Sequence, residues 1–142
     1  MLSGELRQRL AKEYRYAITK MQEVPQPVKK LYYFSAFFSE TQRVLNLEWD
    51  RDLVLIYTVA HHVHTQINTT LQTPGSGVLP IDWATVIEKL TQDASGLATY
   101  YEKAENDNSR EEMYQTLGHL AEIAYAVSGN GSYLCEKGFF KL

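Results

Sequence analysis

The chain has one cysteine, four prolines and little excess of either charge, and each shortage removes a class of protein. A single thiol, Cys135, cannot close an internal disulfide, so a reducing, cytoplasmic setting is expected. No positively charged and then apolar leader opens the sequence, which argues against a signal peptide. The longest strongly apolar stretch, Leu31 to Phe38, is interrupted by Ser35 and falls far short of the roughly 18 residues that a spanning helix needs. No membrane partner is expected. The net charge is −3, with nine basic and six acidic residues over 1–51 and five basic and eleven acidic over 52–142. Neither half carries a field strong enough to drive tight nucleic-acid binding.

What is abundant is helical periodicity. Length places all 142 residues in one domain with a core of its own. Apolar residues recur at steps of three and four over five stretches, roughly 4–23, 27–46, 50–72, 83–104 and 110–128. The expected architecture is all-α, an up-and-down bundle of four to five antiparallel helices. Ser3 caps the first stretch, whose inward face is Leu6, Leu10, Tyr14, Ala17 and Met21. Pro25 stops it and Pro27 opens the second. There Leu31, Phe34, Phe38, Thr41 and Leu45 form a seam, while Tyr33, Phe37 and Val44 make the opposite side apolar as well.

A helix apolar nearly all round needs cover on two sides. We therefore expect Tyr33, Phe37 and Val44, together with Phe139 and Phe140 of the apolar stretch 132–142, to form the interface of a homodimer or of a complex with another protein.

The third stretch carries three of the four histidines. Its seam reads Trp49, Leu53, Ile56, Ala60, Val63 and Ile67, and one flank carries Tyr57, His61, His64 and Asn68. His61 and His64, separated by one helical step, could share a divalent transition metal such as zinc, iron or manganese, which makes a metal-binding bundle with hydrolase or oxidase chemistry the second reading of function. His119 and Glu122, also one step apart on the last helix, are the candidate second pair, and Tyr57 and Asn68 the groups that would orient the rings. The alternative is that these are ordinary half-buried histidines and an exposed His-Glu pair. The order His-x-x-Glu, present once, is not the doubled Glu-x-x-His of dimetal carboxylate bundles.

The remaining helices are marked by their ends. Asp82 starts one, with Ile81 placed to staple onto Val86, and its seam runs Trp83, Ile87, Leu90, Ala94, Leu97, Tyr101 and Ala104. Ser109 and Glu112 read as a capping box for the last, whose seam is Met113, Leu117, Leu120, Ala124 and Val127.

No His-Glu-x-x-His, His-Asp or phosphate-cradling glycine motif is present, which points away from catalysis. Nucleic acid is the third reading, through Arg7, Arg9, Lys12, Arg15, Lys29 and Lys30 with Tyr16, Tyr32 and Tyr33 as stacking groups. Because acidic residues dilute that face, weak and salt-sensitive binding is expected. The leading expectation is a small helical-bundle protein that works through protein contacts.

Overall fold

A computed structural model describes residues 2–72, 82–103 and 106–127. They form helices α1 (Gly4–Glu23), α2 (Pro27–Phe34), α3 (Ala36–Leu45), α4 (Arg51–Gln72), α5 (Trp83–Glu102) and α6 (Asp107–Val127). The stretch 132–142, with Phe139 and Phe140, and the pairing of Ile81 with Val86 lie outside the described residues.

Helices α1, α4, α5 and α6 begin where a side chain satisfies free backbone N–H groups, while α2 opens on Pro27 and α3 follows Ser35, neither with a side-chain cap. The Ser3 hydroxyl accepts from the Leu6 amide at 3.3 Å and Asp50 Oδ1 from Leu53 at 3.1 Å. Asp82 takes both the Thr85 amide, at 3.3 Å, and the Thr85 hydroxyl, at 2.9 Å. The α6 cap departs from the expected Ser109–Glu112 pair. Asn106 accepts from the Ser109 amide at 2.9 Å, and Ser109 Oγ accepts in return from the Asn106 amide at 3.1 Å. An Asn-x-x-Ser pair exchanges the same two bonds as Ser-x-x-Glu, and using it begins the helix three residues earlier.

The second expected helix, 27–46, is two pieces. Ser35 keeps helical angles (φ −56°, ψ −20°), but its amide bonds back to Tyr32 O at 3.1 Å and its hydroxyl takes the same carbonyl at 2.5 Å. This tighter turn advances each residue further round the axis than an α turn does. The buried face consequently passes from Leu31 and Phe34 to Phe37, Thr41 and Val44, leaving Phe38 and Leu45 only partly covered. Phe37 and Val44, expected on an outer face, are core residues.

Five rods result, because α2 and α3 act as one. α1 packs on α2, α3 and α5, α5 on α6, α6 on α4, and α4 on α3, which closes a ring. An odd ring cannot alternate direction throughout. α4 and α6 are the parallel pair, since Arg51 and Asp52 at the start of α4 meet Tyr114 and Arg110 at the start of α6. The connections still run up and down, as expected, but this one neighbouring pair does not alternate.

The inner faces of all five rods meet in a single core, including Leu10, Tyr14, Phe37, Ile56, Leu90 and Leu120. The expected seams of α4 and α5 hold except at their first residues and at Ala104, which lies outside the described residues. Trp49 lies before the Asp50 cap and is exposed, and Trp83 is only partly buried. Among the described residues no helix is long and apolar enough to cross a membrane.

Candidate functional site

The histidine flank of α4 faces the open side of α3, and the reason is the Ser35 turn that leaves Phe38 at the edge of the core. The Phe38 ring stands edge-on to both imidazoles, with centroids 5.2 Å from His61 and 5.0 Å from His64. Tyr57 stacks on His61 at 5.7 Å with planes 9° apart. Burial, and then the neighbouring His61, lower the His64 pKa below its ordinary value. Asn68 does not orient a ring; its Oδ1 accepts from Gln72 Nε2 at 3.4 Å.

His119 and Glu122 are exposed on α6, on the side away from Met113, Leu117 and Leu120. Among the described residues no three His, Cys, Asp or Glu side chains come together as a metal site would require. The expected set of His61, His64, His119 and Glu122 is therefore not assembled. Two imidazoles packed against aromatic rings supply half the donors of a tetrahedral zinc site.

The basic face of α1 is drawn inward. Arg9 Nε donates to Glu40 at 2.6 Å and Arg43 to the other Glu40 oxygen at 2.9 Å, over a carboxylate whose residue is 4% exposed. Arg15 grips Glu102 with two bonds of 3.0 and 2.6 Å, which raises the arginine pKa and lowers that of the carboxylate. Arg7 donates to the Tyr100 carbonyl at 2.8 Å and lies 4.8 Å from the centroids of both Tyr100 and Tyr101. Lys30 donates to the Met21 carbonyl. Of the expected nucleic-acid set, Arg9, Lys12, Lys29, Tyr16 and Tyr32 remain exposed, and of these basic residues Arg9 is ion-paired across elements. Arg7, Arg9 and Arg15 fasten α1 to α3 and α5, and Lys30 closes its C-terminal end.

Two features were not legible beforehand. The first is a polar node where α4, α5 and α6 meet: Asp52 accepts from the Tyr114 hydroxyl at 2.6 Å and the Tyr100 hydroxyl at 3.4 Å, with Arg110 at 3.4 Å. In the sequence Asp52 is merely an acid in a first turn, where the helix dipole already explains it. The second is the α3–α4 corner. Leu47 and Trp49 are 66% and 70% exposed, and Leu55 and Val54 beside them 40% and 37%. Trp49 and Val54 occupy the positions before and after the cap that a hydrophobic staple brings together.

Of the expected interface, Phe37 and Val44 are fully buried and Tyr33 is half-buried with its ring 5.3 Å from Tyr32. Phe37 and Val44 are covered within one chain and so cannot form the outer face. Compared with protein-family models, curated proteins and solved structures, the chain matches none of them.

Proposed function

We propose that the protein works by association through the α3–α4 corner, and that a second copy of the chain is the occupant. The observation that carries this is the group Leu47, Trp49, Val54 and Leu55, four of the eight large apolar or aromatic side chains left exposed among the described residues and the ones gathered within nine positions of the chain. A monomer gains nothing from holding a tryptophan and a leucine at that exposure, whereas burial at about 25 cal/mol per Å² makes such side chains the anchors of interfaces.

Charge favours self-pairing. Glu48 and Arg51 flank the cluster with opposite signs, so a twofold axis through it sets each against its complement on the other copy. The platform is held in place: Glu48 Oε2 takes the Ser3 amide at 3.4 Å and Arg51 donates to the Tyr114 hydroxyl at 3.1 Å. Pre-ordering of this kind lowers the entropy lost on association.

Sedimentation velocity at micromolar concentration should give twice the 16.3 kDa chain mass. Leu47→Ser with Trp49→Ser should return the single-chain mass with the helical circular-dichroism signal intact, because neither residue is in the core. A wild-type protein that sediments as one chain overturns the proposal, and so does a double variant that still pairs.

A further inference from the structure

The elbow between α1 and α2 stands off α5 and leaves a cavity of about 570 Å³, within the range of small-ligand sites. Its cause is in the residues. Pro25 and Pro27 turn the chain with fixed φ and line one wall. On the other, α5 presents Ala84, Thr91 and Ser95, side chains too small to reach across. The Thr91 and Ser95 hydroxyls are already bonded to their own helix, to Ile87 O and Gln92 O at 2.7 Å each, so they line the space without demanding a partner from it.

Met21 and Ile87 form an apolar floor, both buried beneath the opening. The walls also carry one charge of each sign, Lys30 on α2 and Glu88 on α5. The Lys30 ammonium is fixed by its bond to the Met21 carbonyl, and two of its three N–H donors remain for a ligand. Glu88 takes one bond, from Gln92 Nε2 at 3.5 Å, and keeps further acceptor sites.

A ligand of one sign would satisfy one wall and oppose the other, and a neutral apolar ligand would strip water from both without replacing it. We propose that this cavity binds a free α-amino acid with a large apolar side chain. Its carboxylate meets Lys30, its ammonium meets Glu88, and its side chain rests on Met21 and Ile87. Nothing in this depends on the α3–α4 corner, which lies at the opposite end of the bundle.

The probes are L-phenylalanine, 3-phenylpropionate, which lacks the amine, and 2-phenylethylamine, which lacks the carboxylate, each titrated into the full chain by calorimetry. Phenylalanine should bind, and each single-charge analogue should bind at least about tenfold more weakly, the worth of one charge-assisted hydrogen bond. Glu88→Gln, on an exposed position, should weaken phenylalanine to the level of 3-phenylpropionate. Thr91→Leu, which fills the space above the floor, should abolish binding while leaving the helical signal intact. No heat of binding up to about 10 mM phenylalanine, a range that covers even weak sites, overturns the proposal. Equal affinity for all three probes, or binding unchanged in Thr91→Leu, also overturns it.

Discussion

At the scale of single residues, the charged side chains that looked free in the sequence are the ones most firmly used. Glu40 lies four residues before Val44 in an apolar helix and reads as a surface acid, yet it is held under Arg9 and Arg43. Glu40 is the covered member and both arginines reach solvent, so removing the two arginines together would leave a carboxylate in a poor solvent, whereas removing Glu40 would leave two hydrated cations. His64 has the opposite problem, since burial favours its neutral form. Its folded pKa is lowered, so as pH falls the unfolded chain takes up the proton first. The corresponding stability is present above about pH 6.5, the unperturbed value, and is lost as pH falls from there toward the lower folded pKa. The melting temperature should therefore decline on passing from about pH 7.5 to about pH 5.5 across that value. His64→Phe, which keeps an aromatic ring against Phe38, should flatten this decline. An unchanged slope in the variant would assign the titration to other groups.

At the scale of elements, the packing of α5 on α6 turns on one glycine. A Cβ at Gly96 would stand 2.7 Å from Thr116 Oγ1 and 3.2 Å from its Cγ2, so the helices meet where residue 96 has no side chain. Gly96→Ala would gain about 1 kcal/mol of helix propensity and lose about 1 to 3 kcal/mol to overpacking. The expected net effect is destabilisation by about 1 kcal/mol. Thr116→Ala removes the obstructing atoms, so Gly96→Ala made in that background should stabilise instead. Denaturant unfolding of the four proteins of this cycle would show the reversal as a coupling of more than about 1 kcal/mol; additive effects would mean that Thr116 yields freely. Helix positions, most starts and the seams of α4 and α5 were legible because they depend on neighbours three or four residues apart. The α2–α3 break was not. It depends on one serine hydroxyl choosing the carbonyl three residues back, and LYYFSAFF is equally apolar before and after that choice.

At the scale of the whole molecule, the ring of five rods decides which surfaces are left. It pairs Arg9 and Arg15 with the carboxylates of Glu40 and Glu102 and sets Arg7 against α5, so much of the basic charge of the first third is already neutralised within the chain. With a net charge of −3, binding to a DNA duplex at about 0.15 M salt should be weaker than about 100 µM. Fluorescence anisotropy across a salt series checks this, and submicromolar affinity that is lost in Lys12→Glu would restore the nucleic-acid reading. The sequence by itself determined the class of fold, the capped and periodic helices and the absence of an internal disulfide, because these follow from composition and from short-range spacing. Only the tertiary structure decided that Phe37 and Val44 are core, that His119 and Glu122 do not join His61 and His64, that Asp52 binds two tyrosines, and that Leu47 and Trp49 stay in water. Each of these depends on how far one helix is rotated against another. That rotation is set by the whole set of packed faces at once, and no single stretch of the chain encodes it.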